Sequence, residues 1–334
     1  MFLMFLSLGS FSLTEKVNFP TNGDVMKQFA PSLLEFAPSL LEFAPSLLEL
    51  IRRTSAELPD DVVRAIEAQR QLEVPGSQAR YALDIIAENI VLAKEKSQPL
   101  CQDTGAIIFY IKAPIGLDQQ LFSQAARNAV VEATEKGYLR QNSVEPLTGK
   151  NTGNNLGPGF PTFHFEQHED NQRKDIDVRL ILKGGGCENC GAQYSLPNRQ
   201  IEADRNLDGV KRSLLDCVIQ AQGKGCAPGI LGVCIGGDRA TGYVNSKEQL
   251  LRRLDDTNPD SKLAQLESDI VRIANELGIG PMGFGGKTTL LGCKIGVLNR
   301  LPASYFVSIT YMCWAYRRQG VLLNEQGRIT QWIY

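Results

Sequence analysis

Between Asp60 and Thr310 the chain alternates amphipathic helical periods with short apolar runs that break off in glycine, and this alternation restricts its fold more than any other feature. Apolar residues recur at helical spacing in Asp60–Leu72 and in Ser77–Lys96, where Tyr81, Ile85, Ile86, Ile90 and Ala93 share the pattern. Leu117–Glu135, Gly209–Gln222 and Ser261–Leu277 predict further helices. Ile107–Ile111, Val178–Leu182, Ile230–Ile235, Leu290–Val297 and Phe306–Thr310 are short, apolar and rich in β-branched residues, which predicts buried strands. The expected architecture is an α/β body, a mixed sheet with flanking helices, whose strands end in glycine-rich loops of the kind that hold ligands. A chain of 334 residues with 43% apolar content can bury such a core. No linker divides it, so one domain is expected over 51–334.

Residues 29–49 behave differently. They repeat the heptad Phe-Ala-Pro-Ser-Leu-Leu-Glu three times, and Pro31, Pro38 and Pro45 would each remove a helix hydrogen bond. A low-order N-terminal extension is expected over 1–50. Its first residues, Met1–Gly9, resemble the apolar core of a signal peptide but carry no preceding positive charge and are too short to span a bilayer. They read as a tail.

The formal charge is −2 and no block of Lys and Arg stands out, which argues against a nucleic-acid groove. Eight cysteines are too few for a disulfide scaffold in a chain this long, and their placement suits a reducing, cytoplasmic setting. With His164 and His168 as the two histidines, a His-rich metal site or a Ser-His-Asp triad has little material. Both follow the strand-like Phe163-His164-Phe165 pattern and read as structural.

The cysteines divide into groups. Cys217, Cys234 and Cys293 lie in apolar runs and read as small core residues. Cys187-Glu188-Asn189-Cys190 has redox or zinc spacing, but no second pair completes four ligands, so these two read as ordinary thiols on a glycine-rich loop. Cys101, Cys226 and Cys313 have polar or conformationally special neighbours: Cys101-Gln102-Asp103-Thr104-Gly105, Gly225-Cys226-Ala227-Pro228-Gly229 and Cys313-Trp314-Ala315-Tyr316-Arg317-Arg318. Three thiols from distant loops, with arginines beside one, could hold a metal centre facing an anion. Two nucleotide-like motifs fail on context. Gly278-Ile279-Gly280-Pro281-Met282-Gly283 follows a helix, and Gly285-Gly286-Lys287-Thr288 lacks the glycine a phosphate loop requires at Pro281.

Taken together, these segments resemble the iron–sulfur hydro-lyases, the class I fumarase and L(+)-tartrate dehydratase family. Cys101–Gly105, Leu139-Arg140-Gln141-Asn142-Ser143-Val144, Lys183-Gly184-Gly185-Gly186, Gly225–Pro228, Leu277-Gly278-Ile279-Gly280-Pro281 and Cys313–Arg318 are similar to its motifs in the same order. The likeness runs from about Pro59 to the C-terminus and corresponds to the α subunit, or α half.

The resemblance implies a 4Fe-4S cluster on Cys101, Cys226 and Cys313, with one iron left without a protein ligand. It implies a small dicarboxylate substrate met by Arg140, Gln102, Asp103 and the amides of Gly185 and Gly186, with Asp103 moving a proton and Gln102 orienting substrate. It also implies a β subunit as partner, in an α2β2 or similar assembly, with no role for nucleic acid or membrane. Reversible hydration of fumarate to malate is the expected reaction, since Pro161–Glu166 looks fumarase-like. L(+)-tartrate dehydration to oxaloacetate is the alternative, and a non-catalytic metal-binding scaffold is an alternative of another class. One departure stands out: where family members often carry a histidine about twelve residues before the third cysteine, this chain has Leu301.

Overall fold

The structure, a computed structural model, describes residues 40–334, and these belong to one compact unit. In chain order its strands are β1 (Ala106–Ala113), β2 (Thr162–Gln167), β3 (Ile176–Lys183), β4 (Ala192–Ser195), β5 (Gly229–Gly236), β6 (Leu290–Leu298), β7 (Phe306–Met312), β8 (Arg318–Leu323) and β9 (Ile329–Trp332). They form two mixed sheets where the sequence suggested one. A five-stranded sheet has the order β2-β1-β3-β8-β9, and a four-stranded sheet has the order β4-β7-β5-β6. The β1–β2 and β5–β6 pairs are parallel and the other neighbours antiparallel.

The flanking helices are α1 (Leu40–Ala56), α2 (Asp60–Leu72), α3 (Gln78–Lys96), α4 (Gln119–Glu135), the single turn α5 (Gly185–Asn189), α6 (Leu207–Ala221), α7 (Arg239–Gln249) and α8 (Ser261–Glu276). Their starts follow local chemistry. Ser77, Asp118, Asn206 and Asp260 each accept a hydrogen bond from a first-turn backbone N–H of α3, α4, α6 and α8. Helix α7 is too polar for its period to show in sequence, yet Asp238 and Thr241 form a complete capping box at its start. No described helix is long and apolar enough to cross a membrane.

The expected low-order extension over 1–50 does not hold for its described part. Helix α1 runs through the third repeat with Pro45 inside it, and buries Phe43, Leu47, Leu50 and Ile51. Pro45 falls in the helix's second turn, and packing outweighs the lost hydrogen bond: Phe43 stands edge-on to Phe122 of α4 with centroids 5.2 Å apart. The first two repeats and Met1–Gly9 lie outside the described residues.

Two of the buried cores lie around the candidate site. Helices α6 and α8 pack with β5, β6 and β7, while α2 and α3 pack with β1, β3 and the C-terminal end of β7. The register then brings four loops to one place. Ala106 at the start of β1 pairs with Lys183 at the end of β3, and Arg318 at the start of β8 pairs with Ile181. In the second sheet Ile230, near the start of β5, pairs with Met312 at the end of β7. The segment Cys313–Arg317 therefore bridges the two sheets, and the loops bearing Cys101, Gly184–Gly186 and Cys226 open beside it.

Candidate active site

Each loop is held by its own neighbours. Leu100 N donates to Ser55 O of α1 (2.9 Å), and Asn89 Nδ2 of α3 donates to Leu100 O (2.9 Å), which fixes the entry to Cys101. Gly105 has φ +81°, and a Cβ there would lie 2.4 Å from the Lys183 carbonyl. That close approach, which glycine permits, carries Asp103 against Gly184–Gly186. Asp103 Oδ1 accepts from Asn142 Nδ2 at 2.9 Å, and Oδ2 accepts from Gly186 N at a long 3.5 Å. Gln102 is exposed beside it.

Asn142 is itself positioned by Asn155, a buried residue that reading the sequence did not single out. Asn155 Oδ1 accepts from Asn142 N (2.7 Å) and Ser143 N (3.2 Å), while its Nδ2 donates to Arg140 O (2.8 Å) and Thr134 Oγ1 (2.9 Å). The backbone of Arg140 is thus pinned and its side chain left exposed at the rim. The signal for Asn155 was slight: an asparagine-rich turn in which it adopts φ +59°.

Cys226 sits in the left-handed region, φ 49° and ψ 60°, an uncommon place for a residue with a Cβ. The ring of Tyr311 supports it from below: a Cβ on Gly225 would come within 2.5 Å of that ring, and one on Gly229 within 2.2 Å of its hydroxyl. Ala227 O accepts from Met282 N (2.9 Å), and Cys226 O from Trp314 N (3.4 Å). The Gly278–Gly283 motif is therefore a brace for the Cys226 loop. Its neighbour cannot cradle a phosphate either, because the buried Glu73 carboxylate takes the amides of Lys287 and Thr288 at 2.8 Å each.

The three predicted thiols and a fourth border the same apolar core. Cys101, Cys226 and Cys313 share their surroundings with Cys187, which the single turn of α5 points inward. Cys187, read from the sequence as an ordinary loop thiol, is buried here beside Cys313. The neighbouring Cys313 thiol lowers Cys187 against the opposing effect of burial, helped by the Lys183 and Arg317 charges. The same contact and burial push Cys313 well up. Burial, then the negative fields of Cys187, Cys101, Cys190 and Asp103, raises Cys226. Among the described residues no three His, Cys, Asp or Glu side chains converge closely enough for a single metal ion. Cys217, Cys234 and Cys293 are core residues as expected; burial, with smaller contributions from Cys190 and Asp216 at Cys217 and from Glu248 at Cys234, pushes these two up to about 12.

Two basic groups lie beneath the thiols. Lys183, fully buried, donates from Nζ to Tyr311 O (2.9 Å) and pairs with Glu188 (3.2 Å), which also meets Lys247. Arg317 is buried with Nε and Nη1 unpartnered. His168 is buried and bonds Asp175 O through Nε2 (2.7 Å), and His164 stacks on Tyr110 at 4.6 Å; both are structural. Leu301 is 74% exposed in the loop before β7. The seven-residue strand β7 runs between that loop and Cys313.

The sequence model of the family described as Fumarate hydratase (Fumerase) matches residues 45–321. The chain is 52% identical over 290 residues to a putative fumarate hydratase class I of Geobacillus stearothermophilus, covering 85% of this chain and 56% of that protein. It is 33% identical over 272 residues to a putative L(+)-tartrate dehydratase subunit alpha of Methanocaldococcus jannaschii, covering 80% of this chain and 93% of that one. It is 31% identical over 277 residues to the L(+)-tartrate dehydratase subunit alpha of Escherichia coli K12, covering 81% and 87%. The chain thus spans little more than half of the bacillar relative and most of the two α subunits. With the motifs, the fold and these matches in agreement, the chain belongs to the fumarate hydratase (Fumerase) family.

Proposed function

We propose that this chain is the α-type catalytic part of a 4Fe-4S hydro-lyase that hydrates fumarate to malate reversibly. One observation carries the reading: Cys101, Cys226 and Cys313, from three distant segments, border one apolar core beside the loop in which Asp103 is held by Asn142 and approaches Gly186. The donor set suits an iron–sulfur cluster, since cysteine thiolates are the ligands such clusters take. Arg317 adds buried N–H donors that lack an acceptor, as a site for an anionic group requires. Cys101, Cys226 and Cys313 would hold the cluster. When bound, it supplies an iron without a protein ligand, a Lewis acid toward the substrate hydroxyl and carboxylate.

The chain's own groups do the rest. Arg140, exposed beside the loop of Asn142, clamps a substrate carboxylate through its planar fork, and the amides of Gly185 and Gly186 support the same group. Asp103, held by Asn142, moves the proton at its Oδ atoms, a role worth about 10²–10⁴-fold in rate. Gln102 orients the substrate from the exposed side. A β part supplies the remaining groups, in an α2β2 or similar assembly.

Fumarate is favoured because the relative at 52% identity is named for fumarate hydration, against 31–33% for the tartrate dehydratase subunits. The tartrate reading keeps one point in its favour: the chain matches those α subunits over nearly their whole length. The test is iron and acid-labile sulfide in the anaerobically purified chain, followed by exposure to air. About four of each per chain, with one iron lost first in air, is the expected result. Stoichiometric zinc, or no metal in repeated preparations, overturns the reading. Fumarate and tartrate are then compared as substrates with a β partner added.

A further inference from the structure

Arg317 lies between Cys313 and β8 with 1% of its surface exposed. Its backbone is fully used: Arg317 N donates to Ala315 O (2.9 Å), and Leu182 N donates to Arg317 O (3.0 Å). Its guanidinium is not. Nε and Nη1 are buried without an acceptor. The adjacent Arg318, equally buried, also leaves Nε and Nη1 without an acceptor, but its Nη2 is paired with Asp61 at 2.6 Å, whereas Arg317 forms no ion pair among the described residues. Donors of an ionised group taken out of water and left unmatched are strongly unfavourable, so the buried Nε and Nη1 of Arg317 call for an acceptor.

The direction of the side chain narrows the choice. A Cβ on Gly184 would lie 3.7 Å from Arg317 Nη2 and 3.0 Å from Asp103 Oδ2, so guanidinium and carboxylate flank the same α-carbon. The thiols of Cys187 and Cys313 lie within reach of its charge. Arg317 thus stands behind the Gly184–Gly186 turn, on the thiol side, while Arg140 occupies the exposed rim where a diffusing dicarboxylate arrives. Sulfur ligated to iron carries negative charge and accepts N–H hydrogen bonds, and such bonds tune a cluster's potential.

We propose that Arg317 is a positioning residue whose unmatched N–H groups donate to sulfur of the cluster held by Cys101, Cys226 and Cys313. The inference rests on the cluster reading above. Arg317 touches no substrate; it holds the cluster's charge and orientation from within the protein.

The full chain, its cluster assembled anaerobically, is compared as unsubstituted protein, R317K and R317M by redox titration followed by electron paramagnetic resonance. Removing the cation disfavours the added electron, so R317M shifts the potential downward, and R317K, which keeps the charge and loses the fork, falls between. In the unsubstituted chain labelled with ¹⁵N-arginine, pulsed resonance of the reduced cluster shows a nitrogen coupling that R317K abolishes. Equal potentials in all three proteins overturn the inference. So does the absence of nitrogen coupling in the unsubstituted chain, which decides the matter alone if R317M does not fold. A coupling that appears only when malate is added reassigns Arg317 to the substrate and also overturns it. An unsubstituted chain without iron and sulfide defeats the cluster reading itself, a failure distinct from a normal cluster that ignores Arg317.

Discussion

Cys217 and Cys226 stand on either side of one short 3-10 turn, Gln222–Gly225, and the backbone gives them opposite fates. Cys217 faces the core from α6, its thiol donating to Cys190 O at 3.5 Å. Cys226 is turned out of that core by its left-handed conformation and half exposed beside Cys101 and Cys313. Cys226→Ser is therefore expected to lose iron, and Cys217→Ser to keep it, by iron and sulfide analysis of anaerobic preparations. Equal loss in both would refute this choice of ligands. Cys187 poses a separate question, since it touches Cys313. Cys187→Ser should retain a full cluster with the same air-labile iron; loss of the cluster would make Cys187 a fourth ligand and close the reaction site. In the sequence the three loop cysteines were distinguishable by their neighbours, whereas Cys187 was not, because only the fold around Gly105 and Lys183 aims it inward.

Short elements set the distances between these residues. Gly105 and Gly225 are close-approach points, against the Lys183 carbonyl and the Tyr311 ring. Gly225→Ala should lower stability by about 1–3 kcal/mol, the usual range for overpacking, seen as an earlier midpoint in urea. An unchanged midpoint would mean the loop can retreat from Tyr311. Helix α1 is equally testable. Phe43→Ala removes a buried ring from α4 and should cost about 3–5 kcal/mol, and a chain begun at Ile51 should lose more still; a body of full stability from Ile51 onward would leave α1 dispensable. The turn α5 has a pH signature. Burial acts to raise the Glu188 carboxyl, but the Lys183 and Lys247 charges and hydrogen bonds prevail and hold it below the ordinary value of 4.5. Such a group stabilises the fold above its ordinary value and loses that contribution as the pH falls through the lowered one. Glu188→Gln should then be less stable at neutral pH and flatter below pH 4.5 in acid denaturation; identical acid limbs would exclude the ion pair as a contributor. Helices α2, α3, α4, α6 and α8 and the five apolar strands were legible because their periods are strong. Helices α1 and α7 were not, since Pro45 masks the first and polar composition the second.

At the scale of the molecule, two sheets contribute to one site through their ends. β1 and β3 bring the Cys101 and Gly184–Gly186 loops, β5 and β7 bring Cys226 and Cys313, and the five residues Cys313–Arg317 join the sheets across it. The Arg140 rim stays exposed, and the chain covers 56% of the bacillar relative's length. A chain of this extent should hydrate fumarate slowly by itself and gain activity when a separately expressed β part is supplied, read as the change in fumarate absorbance; full activity without it would place the whole reaction here. The sequence by itself determined the helical and strand segments, the three candidate cysteines and the family, because period, turn chemistry and motif order are local properties of the chain. Tertiary structure alone decided that the strands form two sheets, that Cys187 is buried beside Cys313, that Asn155 holds the Arg140 backbone and that Arg317 is buried with Nε and Nη1 unmatched. Those are consequences of register and close approach between distant segments, and neither is written in the spacing of residues along one strand or helix.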